Sequence, residues 1–344
     1  MAERVLTQRE LNRALLARQQ LLERSTAALP RVLERVGGIQ AQYAPSMYVG
    51  LWSRMADLER GALTRALERR SVVQATLMRT TIHLVSAADY WPLARAVRDA
   101  RREWWLTATR GRVTAREMTG AARRMRARLA DGPLRRKEID ALIGKDRAQA
   151  LGLWLELVRV PPSGTWERRR ADLYGLAETW VPRPELTKAQ ALEHIARRYL
   201  GAFGPATAAD VANWAGLKPA ALAPTLRRLE LRRFRAQDGA ELLDLPRAPL
   251  PAADTPAPVR FLPTWDATLL VHARRTGVLP EEHRPKIFHT KNPQSVPTFL
   301  VDGEVAGTWR HEHGRITLEP FGRLGAATRR ALDAEAERLA AFHA

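Results

Sequence analysis

The chain has 344 residues, 45% of them hydrophobic, which is enough for two or three domains with cores of their own. It has no cysteine, which excludes disulfides, thiolate metal sites and cysteine nucleophiles and suits a reducing compartment. With 56 Lys and Arg against 37 Asp and Glu, no apolar leader and no run of about 18 apolar residues, the expectation is a cytoplasmic protein with no membrane segment.

The excess of 19 positive charges points to a polyanion partner, nucleic acid rather than lipid. Six of the cations are Lys and 50 are Arg, a bias that a GC-rich genome explains; codon usage does not explain the net surplus.

In chain order, Thr7-Gln8-Arg9-Glu10 reads as a capping box opening an amphipathic helix with Leu11, Leu15 and Leu16 on one face. Pro30 and Pro45 each open a further helix, and between these lies the break Gly37-Gly38-Ile39-Gln40-Ala41-Gln42-Tyr43. On extended backbone, side-chain direction repeats every two residues, so the amides of Gln40 and Gln42 point the same way. Such a pair can hold a water or one ligand atom between them, or simply satisfy loop backbone. Val72 to Met78 and Thr81 to Val85 form a hairpin with Arg79-Thr80 at its turn. His83 alternates with Ile82 and Leu84, either as a hydrogen-bonded sheet residue or as a nucleic-acid contact. Ser86-Ala87-Ala88-Asp89 caps a long linking helix containing Trp91, Trp104 and Trp105.

An internal repeat follows. Gly132-Pro133 to Gly144 matches Gly204-Pro205 to Gly216 in spacing: each opens with Gly-Pro, runs one short helix and stops at Gly. Thr207 and Asp210 add a capping box to the second copy. A second helix comes next in each, Asp146 to Leu157 and Pro219 to Leu231, and then two strands. In the later copy these are Arg233 to Gln237 and Ala240 to Leu245, joined by Asp238-Gly239. In the earlier copy they are Leu157 to Val160 and Thr165 to Arg169.

Helix, turn, helix and hairpin is the winged-helix plan, which the N-terminal region follows less closely. The expected organisation is a mainly α protein with α+β units: winged helices at 1–90, 131–182 and 184–248, linking helices at 91–130, and a β-rich domain at 258–344 after the Pro- and Ala-rich linker Pro246 to Pro258. Its strands are Val259 to Leu262, Pro297 to Val301, Glu304 to Trp309 and Arg315 to Leu318, with a turn at Asp302-Gly303 and a last helix from Ala326 to Phe342. Winged helices most often bind duplex DNA, although some bind only proteins.

The sequence resembles the AlkZ/YcaQ family of winged-helix DNA glycosylases. The carriers are Gly38-Ile39-Gln40-Ala41-Gln42, Tyr48 to Arg54, Arg79-Thr80-Thr81-Ile82-His83-Leu84-Val85, Leu262 to Asp266, Leu269 to Arg275, Pro297 to Gly303 and Gly307 to Arg310. Their order, spread over nearly the whole chain, is more specific than any one of them. The resemblance implies three tandem winged helices with a C-terminal β-barrel-like domain in a C-shaped molecule. It also implies a catalytic Gln–aliphatic–Gln motif, carried by Gln40 and Gln42 around Ala41. A sister branch has Asp at the second position, and Gln there places this chain on the AlkZ-like branch.

An N7- or N3-alkylated purine is already cationic and leaves as a neutral base, so two amide carbonyls can suffice at the oxocarbenium-like transition state. The expected activity is therefore monofunctional hydrolysis of such bases in duplex DNA, with unhooking of interstrand crosslinks as an extension. The expected enzyme is a monomer with no cofactor and no metal. The alternative is a non-catalytic DNA-binding regulator. No Lys lies near Gln40 or Gln42 in sequence, which disfavours a Schiff-base lyase. DNA contacts are read at Arg79, Thr80, Thr81, His83, Trp265, Asp266, His272, Arg274, Arg275 and Arg310. For Asp266 the competing reading is a structural network in which it orients His272 or an arginine. His289, His311 and His313 lack fitting companion ligands and read as surface histidines rather than a zinc site.

Overall fold

The computed structural model describes residues 3–270, 277–289 and 292–344. The N-terminal part comprises β1 (Val5–Leu6), α1 (Gln8–Arg18), α2 (Leu29–Val36), β2 (Ile39–Gln40), α3 (Ala44–Trp52), α4 (Arg60–Glu68), β3 (Val72–Thr76), β4 (Ile82–Ser86) and the long α5 (Ala87–Ala108). The Thr7–Glu10 capping box opens α1, with Glu10 N donating to Thr7 Oγ1 at 3.2 Å and Thr7 N to Glu10 at 2.8 Å. Ser86 Oγ caps α5, accepting from Asp89 N at 3.1 Å. In α2, Leu29, Val32, Leu33 and Val36 recur every three or four residues and are all buried. Each such side chain contributes about 1.5–3 kcal/mol.

Next come α6 (Ala115–Ala130), β5 (Leu134–Arg135), α7 (Arg136–Ile143), α8 (Lys145–Trp154), β6 (Leu157–Arg159) and β7 (Leu173–Leu176). They are followed by α9 (Ala177–Trp180), α10 (Lys188–Phe203), α11 (Ala208–Ala215), α12 (Pro219–Arg228), β8 (Arg232–Ala236) and β9 (Glu241–Asp244). The C-terminal part holds β10 (Arg260–Leu262), α13 (Ala267–Leu270), α14 (Arg284–Ile287), β11 (Phe288–His289), β12 (Asn292–Ser295), β13 (Thr298–Val301), β14 (Glu304–Glu312), β15 (Arg315–Pro320) and α15 (Ala326–His343).

The hairpins do not stand apart as separate wings. β3–β4 and β6–β7 join in one six-stranded sheet of order β2-β4-β3-β6-β7-β5, with Ala75 opposite both His83 and Val158. The last hairpin, β8–β9, instead gains β1 as a parallel neighbour. α10 packs against α1, α2 and α5, so the last helical unit and the first share one hydrophobic core.

Two expectations are corrected. Thr165 to Arg169 is not a strand, because β6 pairs with Leu173–Leu176. The intervening chain folds on itself: Ser163 Oγ accepts from Asp172 N at 2.8 Å and donates to Arg170 O at 2.8 Å. That loop sends Trp166 to pack edge-on against Tyr48 and Phe342, while Arg168, Arg169 and Arg170 stay exposed. Secondly, the C-terminal domain is no closed barrel but an open antiparallel sheet, β10-β13-β14-β15. One face is covered by α15 through Leu332, Ala336 and Leu339, in a core that also takes Val49 and Trp52 from α3. The Pro- and Ala-rich segment between the last hairpin and β10 is held against α1: Arg13 donates to Thr255 O at 2.6 Å, and Arg18 to Pro249 O at 2.8 Å. Among the described residues no helix is long and apolar enough to cross a membrane.

Candidate active site

Gly37 and Gly38 decide where the paired amides sit. Both have positive φ, 77° and 79°, which lets the chain leave α2 and enter edge strand β2 without an intervening loop. A side chain at Gly38 would lie 2.9 Å from Val85 Cγ1 and 3.1 Å from Leu84 O. β2 then pairs Ile39 with Leu84 and Gln40 with His83, and Ala41 N donates to Ile82 O at 2.8 Å. α3 then begins at Ala44, with Pro45 in its first turn.

Gln40 is 7% exposed and Gln42 is exposed, and their amides meet. The Gln40 Nε2 donates to Gln42 Oε1. That bond orients the Gln42 carbonyl and leaves the Gln40 carbonyl and the Gln42 NH2 for an incoming group. Beside Gln40, His83 is 3% exposed. Its Nδ1–H donates to Thr81 O at 3.1 Å. Burial, reinforced by Arg79 and Arg101, pushes the imidazole down to about 3, so it is neutral at pH 7.

α3, on which the amides depend, is fastened from several sides. Tyr48 OH bonds Thr64 at 2.8 Å, Ser46 Oγ bonds Thr264 at 2.6 Å, and Arg54, just past the helix, grips Asp266 bidentately at 2.8 and 2.9 Å. Burial alone would raise the Asp266 carboxyl, but the Arg54 guanidinium outweighs it and holds the pKa below the ordinary value. Asp266 thus orients an arginine, Arg54.

The other predicted contacts fall in several places. Arg79, at the tip of the first hairpin, donates to Trp214 O at 2.6 Å, at the end of α11, and burial lowers its pKa. Thr80 and Thr81 turn their hydroxyls onto Arg79 O and Met78 O at 2.6 and 3.1 Å. Trp265 is half-buried with φ 57°, its N–H donating to Ser295 at 2.7 Å. Arg310 is exposed and paired with Glu319. His272, Arg274 and Arg275 lie outside the described residues. His311 stacks on His343 at 4.1 Å, and no group of three metal-binding side chains occurs among the described residues.

Two features escaped the sequence reading. Tyr43, 40% exposed immediately after Gln42, receives a hydrogen bond from Arg169 Nη1 at 3.0 Å, in the loop that carries Trp166. The signal was there, since Trp166 precedes three consecutive arginines, but the segment reads as a strand. The second feature is a set of arginines, the half-buried Arg79 and the buried Arg101 and Arg159, none of which forms an ion pair with a carboxylate among the described residues. Single-residue patterns do not reveal it, because burial is not written in the Arg codons.

The amide pair thus stands at a sheet edge beside a buried, neutral His83, with Arg169 bonded to Tyr43 next to it. The chain belongs to the DNA glycosylase AlkZ-like family, whose sequence model matches residues 33–342. It is 24% identical over 355 aligned positions to an interstrand DNA cross-link repair glycosylase of Streptomyces sahachiroi, covering 94% of this chain and 93% of that protein. The solved structure of Streptomyces sahachiroi DNA glycosylase AlkZ has the same fold, with a TM-score of 0.83 at 22% identity over 98% of this chain and 97% of that one.

Proposed function

We propose that this protein is a monofunctional DNA glycosylase that hydrolyses the N-glycosidic bond of N7- or N3-alkylated purines in duplex DNA, including those tied into interstrand crosslinks. Gln40 and Gln42 are its catalytic residues, and the three helix–hairpin units act as winged helices on DNA. The observation that carries the reading is the direct amide–amide bond between Gln40 and Gln42. It fixes one carbonyl and frees the other, and two such oxygens can accept hydrogen bonds from the attacking water and face the positive charge developing at C1′. His83, held neutral, adds no charge of its own. The leaving group must then bring its own activation, as a cationic alkylpurine does. A crosslinked purine alkylated at N7 has the same activation, and the relative named for cross-link repair supports including it.

In this reading Thr80 and Thr81 present the first wing to DNA, and Arg310 contributes from β14. His272, Arg274 and Arg275 remain proposed phosphate contacts. Arg79, His83 and Asp266 serve by holding the fold, while Arg168, Arg169 and Arg170 add phosphate contacts beside Tyr43. Affinity for undamaged duplex should fall steeply between roughly 50 and 200 mM salt as bound counterions are released.

The deciding experiment measures excision and binding together. Gln40→Ala and Gln42→Ala should each lower release of N7-methylguanine at least about tenfold while duplex affinity stays within about twofold. Parallel loss of both would make the loop structural, and release of uracil or 8-oxoguanine at a comparable rate would overturn the amide mechanism.

A further inference from the structure

Gln42 is the less secured member of the amide pair. β2 ends at Gln40, whose backbone pairs with His83, and α3 begins at Ala44. Gln42 and Tyr43 bridge the two, both exposed, with Tyr43 extended at φ −128° and ψ 120°. Among the described residues the Gln42 side chain has one hydrogen-bond partner, the amide of Gln40. A carbonyl that has to face C1′ needs its aim held to about 0.5 Å, and an error of about 1 Å can cost roughly a hundredfold in rate.

The restraint comes from a residue 126 positions further along the chain. Arg169 Nη1 donates to the Tyr43 hydroxyl at 3.0 Å, and the same guanidinium stands 6.0 Å from the centroids of both the Tyr43 and the Trp166 rings. Among the described residues no carboxylate pairs with Arg169. The loop places this arginine from two sides. Gln74 Nε2, buried in β3, donates to Gly164 O at 2.7 Å, and Gly164 N donates to Arg168 O at 2.8 Å. Trp166 packs edge-on between Tyr48 of α3, at 5.5 Å, and Phe342 and His343 at the end of α15, at 5.9 and 5.1 Å. Arg60 closes that end, donating to His343 O at 2.9 Å with its guanidinium 5.0 Å from the Trp166 ring. Tyr43, Trp166 and Arg169 line one recess of about 230 Å³.

We propose that Tyr43 is a positioning residue for Gln42 and that Arg169 acts on the reaction through the Tyr43 hydroxyl. The loop 161–172 and the end of α15 then set the aim of the second amide. The inference rests on the glycosylase reading above, in which Gln42 is catalytic. Tether and phosphate contact draw on different nitrogens of one fork: Nη1 serves Tyr43, and Nη2 is left for DNA. Were Arg169 a phosphate contact alone, the Tyr43 hydroxyl would be dispensable.

Tyr43→Phe in the full chain removes one oxygen and keeps the ring. Single-turnover release of N7-methylguanine at saturating protein should fall about fivefold, while duplex Kd and the slope of its salt dependence stay within about 1.5-fold. Arg169→Ala should lower that rate by a similar factor and weaken binding as well. Combining the two should lower the rate no further, because both break the same bond. The side-chain amide resonances of Gln42, assigned by their loss in Gln42→Ala, give a readout independent of the chemistry. Tyr43→Phe should move them toward the averaged shifts of free glutamine and leave those of Gln74 unchanged. An undiminished rate in Tyr43→Phe overturns the proposal. So do a loss confined to affinity, multiplicative rate losses in the double variant, or unmoved Gln42 resonances. Failure of the glycosylase reading shows separately, as no excision by the unmodified chain, and the resonances then still decide whether Tyr43 holds Gln42.

Discussion

The β3–β4 hairpin and the β8–β9 hairpin follow the same local plan and are stabilised by opposite means. At the tip of β8–β9, Asp238-Gly239 makes an exposed turn in which Ala240 N donates to Asp238 Oδ1 at 3.0 Å and Gly239 takes φ 85°. Nothing lies within 4 Å of where a Gly239 side chain would sit. At the tip of β3–β4, Arg79 and Thr80 hold positive φ of 49° and 59° without a glycine. That strained turn is imposed from outside, by Arg79 clamping Trp214 O and by Gly216 of the neighbouring unit, whose Cβ position lies 3.1 Å from Arg79 N. Local sequence chemistry makes one turn and tertiary packing makes the other. A hairpin that is packed in this way loses freedom to swing, and it holds β4 and its neighbour Gln40 in register.

Four substitutions or conditions probe that contrast, beginning with the largest effect. The β8–β9 hairpin is firm at its base, where Asp244 bonds the buried Arg18 at 2.6 and 3.0 Å. Asp244→Ala strands that guanidinium and should cost about 3–5 kcal/mol in urea unfolding. A loss near 0.5 kcal/mol would show the base to be no anchor.

Acid should act chiefly on the first hairpin. His83 is neutral in the folded chain down to about pH 3 but takes up a proton near 6.5 when unfolded. Its contribution is complete above pH 6.5 and is lost as pH falls from 6.5 toward 3, about 3 kcal/mol by pH 4. His83→Gln should flatten that part of the stability–pH curve, and an unchanged curve would locate the acid sensitivity elsewhere. His343, pushed down to about 4 by burial first and by His311 and Arg60 second, works in the same direction over a narrower window and supplies the control.

Arg79→Ala tests the clamp. Leaving the Trp214 carbonyl without its charged donor should lower the melting free energy by about 1–3 kcal/mol. It should also broaden the hydrogen exchange of β4 amides more than those of β9. Equal effects on both hairpins would erase the distinction drawn between them. The smallest change is expected from Gly239→Ala, about 1 kcal/mol from the positive φ alone, with binding of the protein's own core elements untouched.

Local patterns were enough for the elements that local chemistry makes. Capping boxes at Thr7 and Thr207, prolines entering α2 and α3, the Asp238-Gly239 and Asp302-Gly303 turns and the apolar spacing of α2 or α15 each act within a few residues, so the sequence displays them. The amide pair was legible because its members are only two residues apart, although Gln42 lies in the bend past β2 and reaches back to Gln40 rather than sharing a strand face with it. What lay beyond was everything that depends on a partner distant in the chain. The course of 161–172 is settled by where Trp166 finds apolar surface, on Tyr48 and Phe342. The opening of the expected barrel into a sheet follows from α15 covering one face with help from α3. Arg79 read as a DNA contact because an arginine at a hairpin tip is normally solvated, and only the packed neighbour reveals the carbonyl it serves. By itself the sequence determined the capped helices, the Asp-Gly turns and which two amides stand together. The tertiary structure alone decided which cations are buried, which surfaces close on one another and where a cavity remains, because burial and desolvation are properties of the assembled chain and of no single stretch of it.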